Sequence, residues 1–517
     1  MNLKLCEIHT TKRKGQYRWQ FTVEADYNVP DQKEDIGRIL SEQGQVLLDE
    51  FEQQENRGIA KGTIRFQMLY GTNQEHAMLE CMEGTIPFEE TVHLQGMTAK
   101  DEVMINPEIE DLTISAINSR KITLRLVLVL QCMVLEEATV EGASELENCD
   151  EIQCLYQTIP YTRTVTRKKD VFRLKEEIIL PQSKPNICQM VWNQVSMNHL
   201  ELRLADGVIL LKGELELFAL YYGEEEHIPV QTVTMQIPFE GNLDCPEGKG
   251  DMIGDILGEL RDVSVMVRPD EDGEERKLEL EGNLNLSIQI YEDCSVSLLS
   301  DLYSPQANVI TEMTEIGYET LVMRNHAKVR VADRISLEKN LPNMLQICQV
   351  TGSVRIEEQQ IVNQGIMVEG VILCQAIYVS DEDKNPIACV KGTVPFSYLI
   401  ENHVNPEDTS ILTPYLDSIS GMVVGNHELE IKASVTLSSM VFASHKKQAM
   451  ISMTVEPMDY ERINKIPGML GYIVKEGDTI WGIAKKYYTT IDSIRKINQL
   501  EQDELQAGRK LLIVKGC

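Results

Sequence analysis

Polar and apolar residues alternate without a break from Asn283 to Ile290, with Leu284, Leu286, Ile288 and Ile290 on one side. Successive side chains of a strand face opposite sides, so this is the pattern of a half-buried β-strand. Ile431, Ala433, Val435 and Leu437 repeat it with polar residues between, and Ile122 to Val129 forms a third run of the same kind. The pattern predicts strands over 122–129, 278–290 and 429–440, each closing a longer segment that carries the same landmarks.

Those landmarks are a Gly, a Tyr and a Pro at fixed spacing. Tyr70, Tyr221 and Tyr378 each follow a Gly by eight residues (Gly62, Gly213, Gly370), and Pro87, Pro238 and Pro395 follow it by 25. A triplicate of three matched residues signals internal repetition at a domain-sized period. Between Gly and Pro the chain reads as a hairpin with a polar turn, which places His76 and His227 in solvent. The second strand of the hairpin is expected to end at the Ile/Val-Pro-Phe triplet, because Pro donates no ladder hydrogen bond and so marks a strand end or an edge. Upstream, Phe21 precedes Pro30 by nine residues and Phe172 precedes Pro181 by nine. Pro342 takes that part in the third copy, although it stands 28 residues before its Gly rather than 32. The repeats are expected over 16–135, 167–294 and 325–443, each an antiparallel sandwich or barrel-like domain of about 110–120 residues. Residues 136–166 and 295–324 are expected to be irregular connections. Residues 444–471, with Pro457, Pro467, Gly468 and Gly471, are expected to be a flexible linker that frees the tail from the body.

Residues 472–515 differ from everything before them. Tyr472 to Val474 predicts a short strand, Gly477 a turn, and Asp478 or Thr479 the cap of a helix whose apolar stripe is Ile480, Ile483 and Ala484. Thr489 or Thr490 would cap a second helix carrying Ile491, Ile494 and Ile497, and Gly508 leads into a last strand at Leu511 to Val514. The expected arrangement is βααβ. The Gly477-Asp478-Thr479 turn, the Trp481-x-Ile483-Ala484 helix, the Ile497-Asn498-x-Leu500 helix end and the Gly508-x-x-Leu511-x-Ile513 strand closely resemble the LysM family. The resemblance implies a shallow groove for N-acetylglucosamine polymers between two loops. Its contact residues would be Gly477, Asp478, Thr479, Ile480 and Trp481 on one side and Asn498, Gln499 and Leu500 on the other, with Trp481 weighed also as a packing residue. Arg509, Val514 and Gly482 depart from the family's usual Gln, Pro and Ser.

Charge narrows the partners. The 517 residues carry a net charge of −32. Residues 472–517 hold eight Lys/Arg and six Asp/Glu, so −34 lies on the rest. An acidic body is repelled by nucleic acids and anionic lipid surfaces, and neither is expected as a direct partner. The N-terminal residues contain no continuous apolar stretch of the kind a secretory signal needs, and the apolar run from Ile122 to Leu135 is broken by Arg125 and Gln131, so a cytoplasmic protein without membrane insertion is expected. The twelve cysteines contain no CxxC pair, and Cys149 with Cys154 lacks further ligands, so structural thiols are expected rather than disulfides or a metal site. Cys188 and Cys348, each within an Ile-Cys-Gln triplet, read as matched buried residues.

Catalysis requires a nucleophile, acid or base held in register with partners. No carboxylate recurs after the Ile/Val-Pro-Phe triplets, Gly248-Lys249 lacks the rest of a phosphate loop, and the acidic runs Asp270 to Gly273 and Asp381 to Asp383 lack the remaining calcium ligands. The expectation is a non-enzyme without cofactor or metal. Three β-domains before a LysM tail resemble the SPOCS-domain proteins of endospore-forming bacteria, and among them the SipL-type spore coat morphogenetic proteins. That resemblance implies a scaffold made in the mother cell and recruited to the forespore surface. It implies as partner the morphogenetic ATPase that polymerises beneath the coat, with other coat proteins and residual glycan binding through the LysM module as further expectations. A wall-bound peptidoglycan-binding protein is the alternative.

Overall fold

Tyr70, Tyr221 and Tyr378 each send the phenol oxygen to a backbone carbonyl 36 residues earlier, that of Glu34 (3.1 Å), Pro185 (3.2 Å) and Pro342 (3.0 Å) respectively. This triplicate hydrogen bond fixes the register of three copies of one domain. The computed structural model describes residues 2–74, 78–147, 151–224, 230–337, 341–382, 385–402, 404–425, 427–458, 467–500 and 505–515. His76, His227, Cys149 and Asp383 lie outside them.

The first copy comprises β1 (Asn2–Asn28), β2 (Ile36–Gln54), β3 (Arg57–Thr72), β4 (Leu79–His93), β5 (Glu102–Asn118) and β6 (Lys121–Glu147). In the second these become β7 (Gln153–Ile179), β8 (Ile187–Ala205), β9 (Val208–Gly223), β10 (Val230–Asp244), β11 (Ile253–Pro269) and β12 (Glu275–Tyr303). In the third they are β13 (Asn308–Ser336), β14 (Met344–Val362), β15 (Gly365–Ser380), β16 (Ile387–Glu401), β17 (Thr409–Val424) and β18 (Glu428–Glu456). Each copy packs two antiparallel three-stranded sheets face to face, ordered β1-β6-β5 and β2-β3-β4 in the first. The alternating strands predicted at 122–129, 278–290 and 429–440 are the central strands β6, β12 and β18, and their apolar faces build the three sandwich cores.

The landmark Gly residues face landmark Phe residues. Gly62 pairs with Phe88, Gly213 with Phe239 and Gly370 with Phe396. A Cβ on Gly62 would lie 2.2 Å from the Leu47 carbonyl oxygen and 2.6 Å from the Phe88 ring, so the aromatic ring occupies the space that only Gly leaves open. Pro87, Pro238 and Pro395 stand inside β4, β10 and β16 rather than at their ends. These are edge strands, where the missing N–H leaves no ladder partner unsatisfied.

The tyrosine hydrogen bonds correct the alignment of the third copy. Pro342 corresponds to Pro185 and Glu34, not to Pro181 and Pro30. Pro30 and Pro181 serve instead as carbonyl acceptors for Arg120 (3.0 Å) and Arg276 (2.9 Å). The same register separates the two Ile-Cys-Gln triplets. Cys348 is equivalent to Leu40 and Val191 and packs with them, whereas Cys188 is equivalent to Leu345 and is exposed. Burial pushes the thiols of Cys81, Cys132 and Cys389 up to about 12 and those of Cys348 and Cys374 to about 11, which leaves them protonated and inert.

The segments expected as irregular connections are strands. Residues 2–13 pair with 135–147, 153–164 with 291–303, and 308–321 with 442–456, so each copy extends into a two-stranded stem. The strands therefore run past the repeat limits expected from the sequence, and the linker expected over 444–471 is strand as far as Glu456. A bulge in each first strand, at Lys14, Val165 and Val322, separates stem from sandwich. Counting back from these bulges makes Ile8, Ile159 and Ile316 equivalent, and all three are buried in one cluster. The stems thus meet around a pseudo-threefold axis. A second cluster on the same principle joins the inner sheets. Leu69, Leu220 and Ile377, each one residue before a landmark Tyr and so on the opposite face of the strand, pack with Leu40, Val191 and Trp192. Among the described residues no helix is long and apolar enough to cross a membrane.

The ring closes through three equivalent contacts. Thr11 and Thr164 share a hydroxyl hydrogen bond (3.1 Å) between the first and second copies. The Leu321 amide donates to Thr162 Oγ1 (2.9 Å) between the second and third. Between the third and first, the Arg13 amide donates to Glu319 Oε1 (3.2 Å), and the Arg13 guanidinium pairs with the same carboxylate while lying 3.4 Å from the centre of the Phe442 ring. Both side chains of this pair are about 95% buried, at 4% and 5% exposure. Removing one partner from a buried pair strands a charge and costs about 3–5 kcal/mol, whereas replacing both with apolar residues of like volume is close to neutral. Urea denaturation should therefore show Arg13→Met strongly destabilised and the Arg13→Met, Glu319→Leu double variant restored to near wild type. Equal loss in both would remove the ion pair from its assigned part.

Candidate functional site

The tail has the expected βααβ order, but its first strand begins at Met469, within the linker expected over 444–471, and stops before Val474. Its strand β19 (Met469–Ile473) is followed by α1 (Ile480–Lys486), α2 (Ile491–Asn498) and β20 (Lys510–Val514), which pairs antiparallel with β19. Of the two candidate caps for each helix, the second is used. Thr479 Oγ1 accepts from the Gly482 amide (3.0 Å) and Thr490 Oγ1 from the Ser493 amide (3.1 Å), satisfying donors that a helix start leaves free. Asp478 has a different task. Its carboxylate accepts from the Lys475 amide and the Tyr472 hydroxyl, both at 2.8 Å, and these hydrogen bonds hold its pKa below the usual carboxylate value. Gly477 takes φ +85°, a conformation that suits Gly. Thr489 is wholly buried.

The eight candidate contact residues divide by what their side chains already do. Ile480 is buried in the module core with Ile483, Ala484, Ile494, Leu511 and Ile513, and Leu500 packs against that core. Asn498 is a latch within the module. Its Nδ2 donates to the carbonyls of Ile494 (2.9 Å) and Leu512 (2.8 Å), and its Oδ1 accepts from the Leu512 amide (2.7 Å). Trp481 turns toward the body, where its indole N–H donates to Asp301 Oδ2 (2.8 Å) and its ring meets Tyr303 edge-on at 4.9 Å. Gly477, Thr479 and Gln499 remain exposed.

Sequence reasoning missed two features. One is the seat for Trp481 on the second stem, which ties the tail to a body from which residues 444–471 were expected to free it. The other is the outer face of the β19–β20 ribbon, where Met469, Ile473 and Leu512 are 59%, 58% and 42% exposed. Alternation carried the signal for that face, since Leu470, Tyr472, Leu511 and Ile513 point the other way.

Elsewhere the surface offers little for chemistry. Among the described residues no three or more His, Cys, Asp or Glu side chains gather to hold a metal. Asp270 Oδ1 accepts from the amides of Asp272 (2.9 Å) and Glu274 (3.0 Å), so that acidic run closes its own turn. A depression between the first and third copies, lined by Arg38, Leu40, Leu79 and Ile387 among others, has a free volume of about 10 Å³, room for one water molecule.

These features define a protein of tandem β-sandwich repeats that ends in a LysM domain. The chain matches the SipL, SPOCS domain family at residues 35–117, 186–268 and 343–424, and the LysM domain family at 472–514. It is a SPOCS-plus-LysM protein of the SipL type. Each SPOCS match covers the second to fifth strands of a copy and leaves out the first and last, which build the stems. The tail is 46% identical over 41 residues to a probable endopeptidase p60 of Listeria grayi and to one of Listeria monocytogenes, and 44% identical to one of Listeria welshimeri. Each match covers 8% of this chain and 8% of the relative, so the chain spans a small fraction of the curated relatives it resembles. No solved structure matches the chain.

Two outcomes follow from the module's hydrogen bonds. Asn498→Ala leaves the Leu512 amide and carbonyl without their partner, a loss of roughly 1–3 kcal/mol, so exchange of the Leu512 amide should quicken by about 10–100-fold. Because Asp478 is more acidic in the folded module than in the unfolded chain, its stabilisation is present above the unfolded carboxylate pKa. It is lost as pH falls through the depressed value. The module's melting temperature should decline over that acid range, and Asp478→Asn should flatten the decline.

Proposed function

We propose that the chain is a non-catalytic scaffold for spore coat assembly. In this reading the body serves as a rigid three-part platform, and the LysM module recruits it to the forespore surface by binding the polymerising morphogenetic ATPase. SPOCS and LysM domains are binding types and fit a sporulation-related protein. The observation that carries the finer reading is the division of labour within the module. Of the side chains expected to line a glycan groove, Ile480, Trp481, Asn498 and Leu500 are engaged in packing or hydrogen bonds, while the ribbon face at Met469, Ile473 and Leu512 is apolar and open. A flat apolar face rimmed by Lys510 and Lys515 suits a protein partner better than a sugar chain. The acidic body fits a cytoplasmic place in the mother cell, and other coat proteins would dock on the same platform. Three sandwiches on one chain can also engage a polymer at several points, with the gain in avidity that linkage gives.

A second reading, residual binding of N-acetylglucosamine polymers, is favoured by the tail's match to the LysM domain family and by the exposure of Gly477, Thr479 and Gln499.

A fluorescent fusion of the full chain in sporulating cells distinguishes the two. Coat assembly requires a shell around the forespore that disperses when residues 472–517 are deleted. Leu512→Arg should disperse it as well, since it charges the ribbon face without touching the module core. Label fixed to the outer wall, with retention of the isolated tail on purified wall, would favour the glycan reading instead.

A further inference from the structure

The three stems are built alike, yet the tail sits on one of them. Leu5 pairs with Ala143, Tyr156 with Leu299 and Met313 with Met450, and in each stem the next residue of the returning strand is bulged out (Ser144, Ser300, Ile451). This register makes Glu145, Asp301 and Ser452 equivalent, and likewise Glu147, Tyr303 and Thr454. Only the second stem has an acid and an aromatic residue at these two places. Asp301 accepts from the Trp481 indole through one oxygen (2.8 Å) and from the Lys485 ammonium through the other (2.5 Å). Tyr303 is 5% exposed, packs its ring against Trp481, and donates its hydroxyl to the Thr489 carbonyl at 2.8 Å. Thr489 ends the turn between α1 and α2, so the stem grips the module at two points on one side.

We infer that Asp301 and Tyr303 form a seat that selects the second stem and holds the LysM module in one orientation, its α1 face covered and its ribbon face outward. The seat has the components such a contact needs. An indole N–H on a carboxylate is a charge-assisted hydrogen bond, and the edge-on aromatic pair packs beside it. The Lys485 ammonium adds little, since both groups are partly in solvent. Burial raises the Tyr303 phenol to about 12, so it stays a donor across the physiological range. The equivalent residues explain the choice. Glu145 is paired with Lys4 and neither Glu147 nor Thr454 brings a ring, so the first and third stems offer no surface for Trp481. A ligand approaching the module from the Trp481 side must lift it off the seat, whereas one approaching the ribbon finds it open. This inference stands whether or not the chain acts in coat assembly.

The test uses the full chain with fluorine-labelled tryptophan, which gives one resonance each for Trp19, Trp192 and Trp481. Asp301→Ser with Tyr303→Thr installs the residues that the third stem carries at the same register. It should move the Trp481 resonance to the position of a solvated indole and speed tryptic cleavage after Arg462 or Lys465 at least tenfold. The resonance of buried Trp192 should stay in place. Trp481→Phe, a change on the tail alone, should speed the same cleavage and leave Trp192 unmoved. If neither variant alters cleavage, or if Trp481 keeps its resonance in the stem variant, the module is not held by this seat and the inference falls.

Discussion

A three-stranded sheet has two faces, and in this body both must be covered. One face of each sheet closes its own sandwich. The other face of β3, β9 and β15 carries Leu69, Leu220 and Ile377, which no partner within their own copy can cover. Ile8, Ile159 and Ile316 pose the same problem in the stems. Closing three copies into a ring buries both sets at once, with each isoleucine contributing on the order of 1.5–3 kcal/mol as an apolar side chain removed from water. The meeting of the stems and the burial of the inner sheet faces both follow from that closure.

Closure also explains why one of three equivalent contacts is ionic. Neighbours along the chain are tethered, and threonine hydroxyls suffice at their junctions. The first and third copies are joined by no short connection. Their junction uses a buried Arg13–Glu319 pair that accepts no substitute geometry, braced by the Phe442 ring. A buried pair adds modest stability and penalises any wrong apposition.

The sandwich was largely legible because its landmarks lie on facing strands a fixed distance apart. Gly62 and Phe88 must meet, and so must their counterparts. The offset of Pro342 was not legible, because the group that holds Tyr378 is a backbone carbonyl, which any residue supplies. Glu34 does the same work in the first copy. The stems escaped notice since bulges at Ser144, Ser300 and Ile451 break the two-residue period, and since positions such as Thr158 and Glu315 are polar without a matching apolar run. In the tail, motif spacing narrowed each cap to two adjacent residues and read the βααβ order. It could not reveal that Asn498 is occupied within the module, or that Trp481 meets a residue 180 positions away.

The Arg13–Glu319 contact spans 306 residues of chain. At a synthesis rate of roughly 5–20 residues per second, the first copy waits about 15–60 s on the ribosome for its closing partner. Until the second and third copies are made, Leu40, Leu69 and Leu79 lack the partners that cover them in the closed ring, Val191, Leu220 and Ile377 among them. The same apolar surface exists on every ribosome translating the message, and two such intermediates present matching halves. The geometry that makes one chain a closed ring therefore makes its half-built forms prone to join one another, and gives slow, chaperoned synthesis a direct bearing on yield.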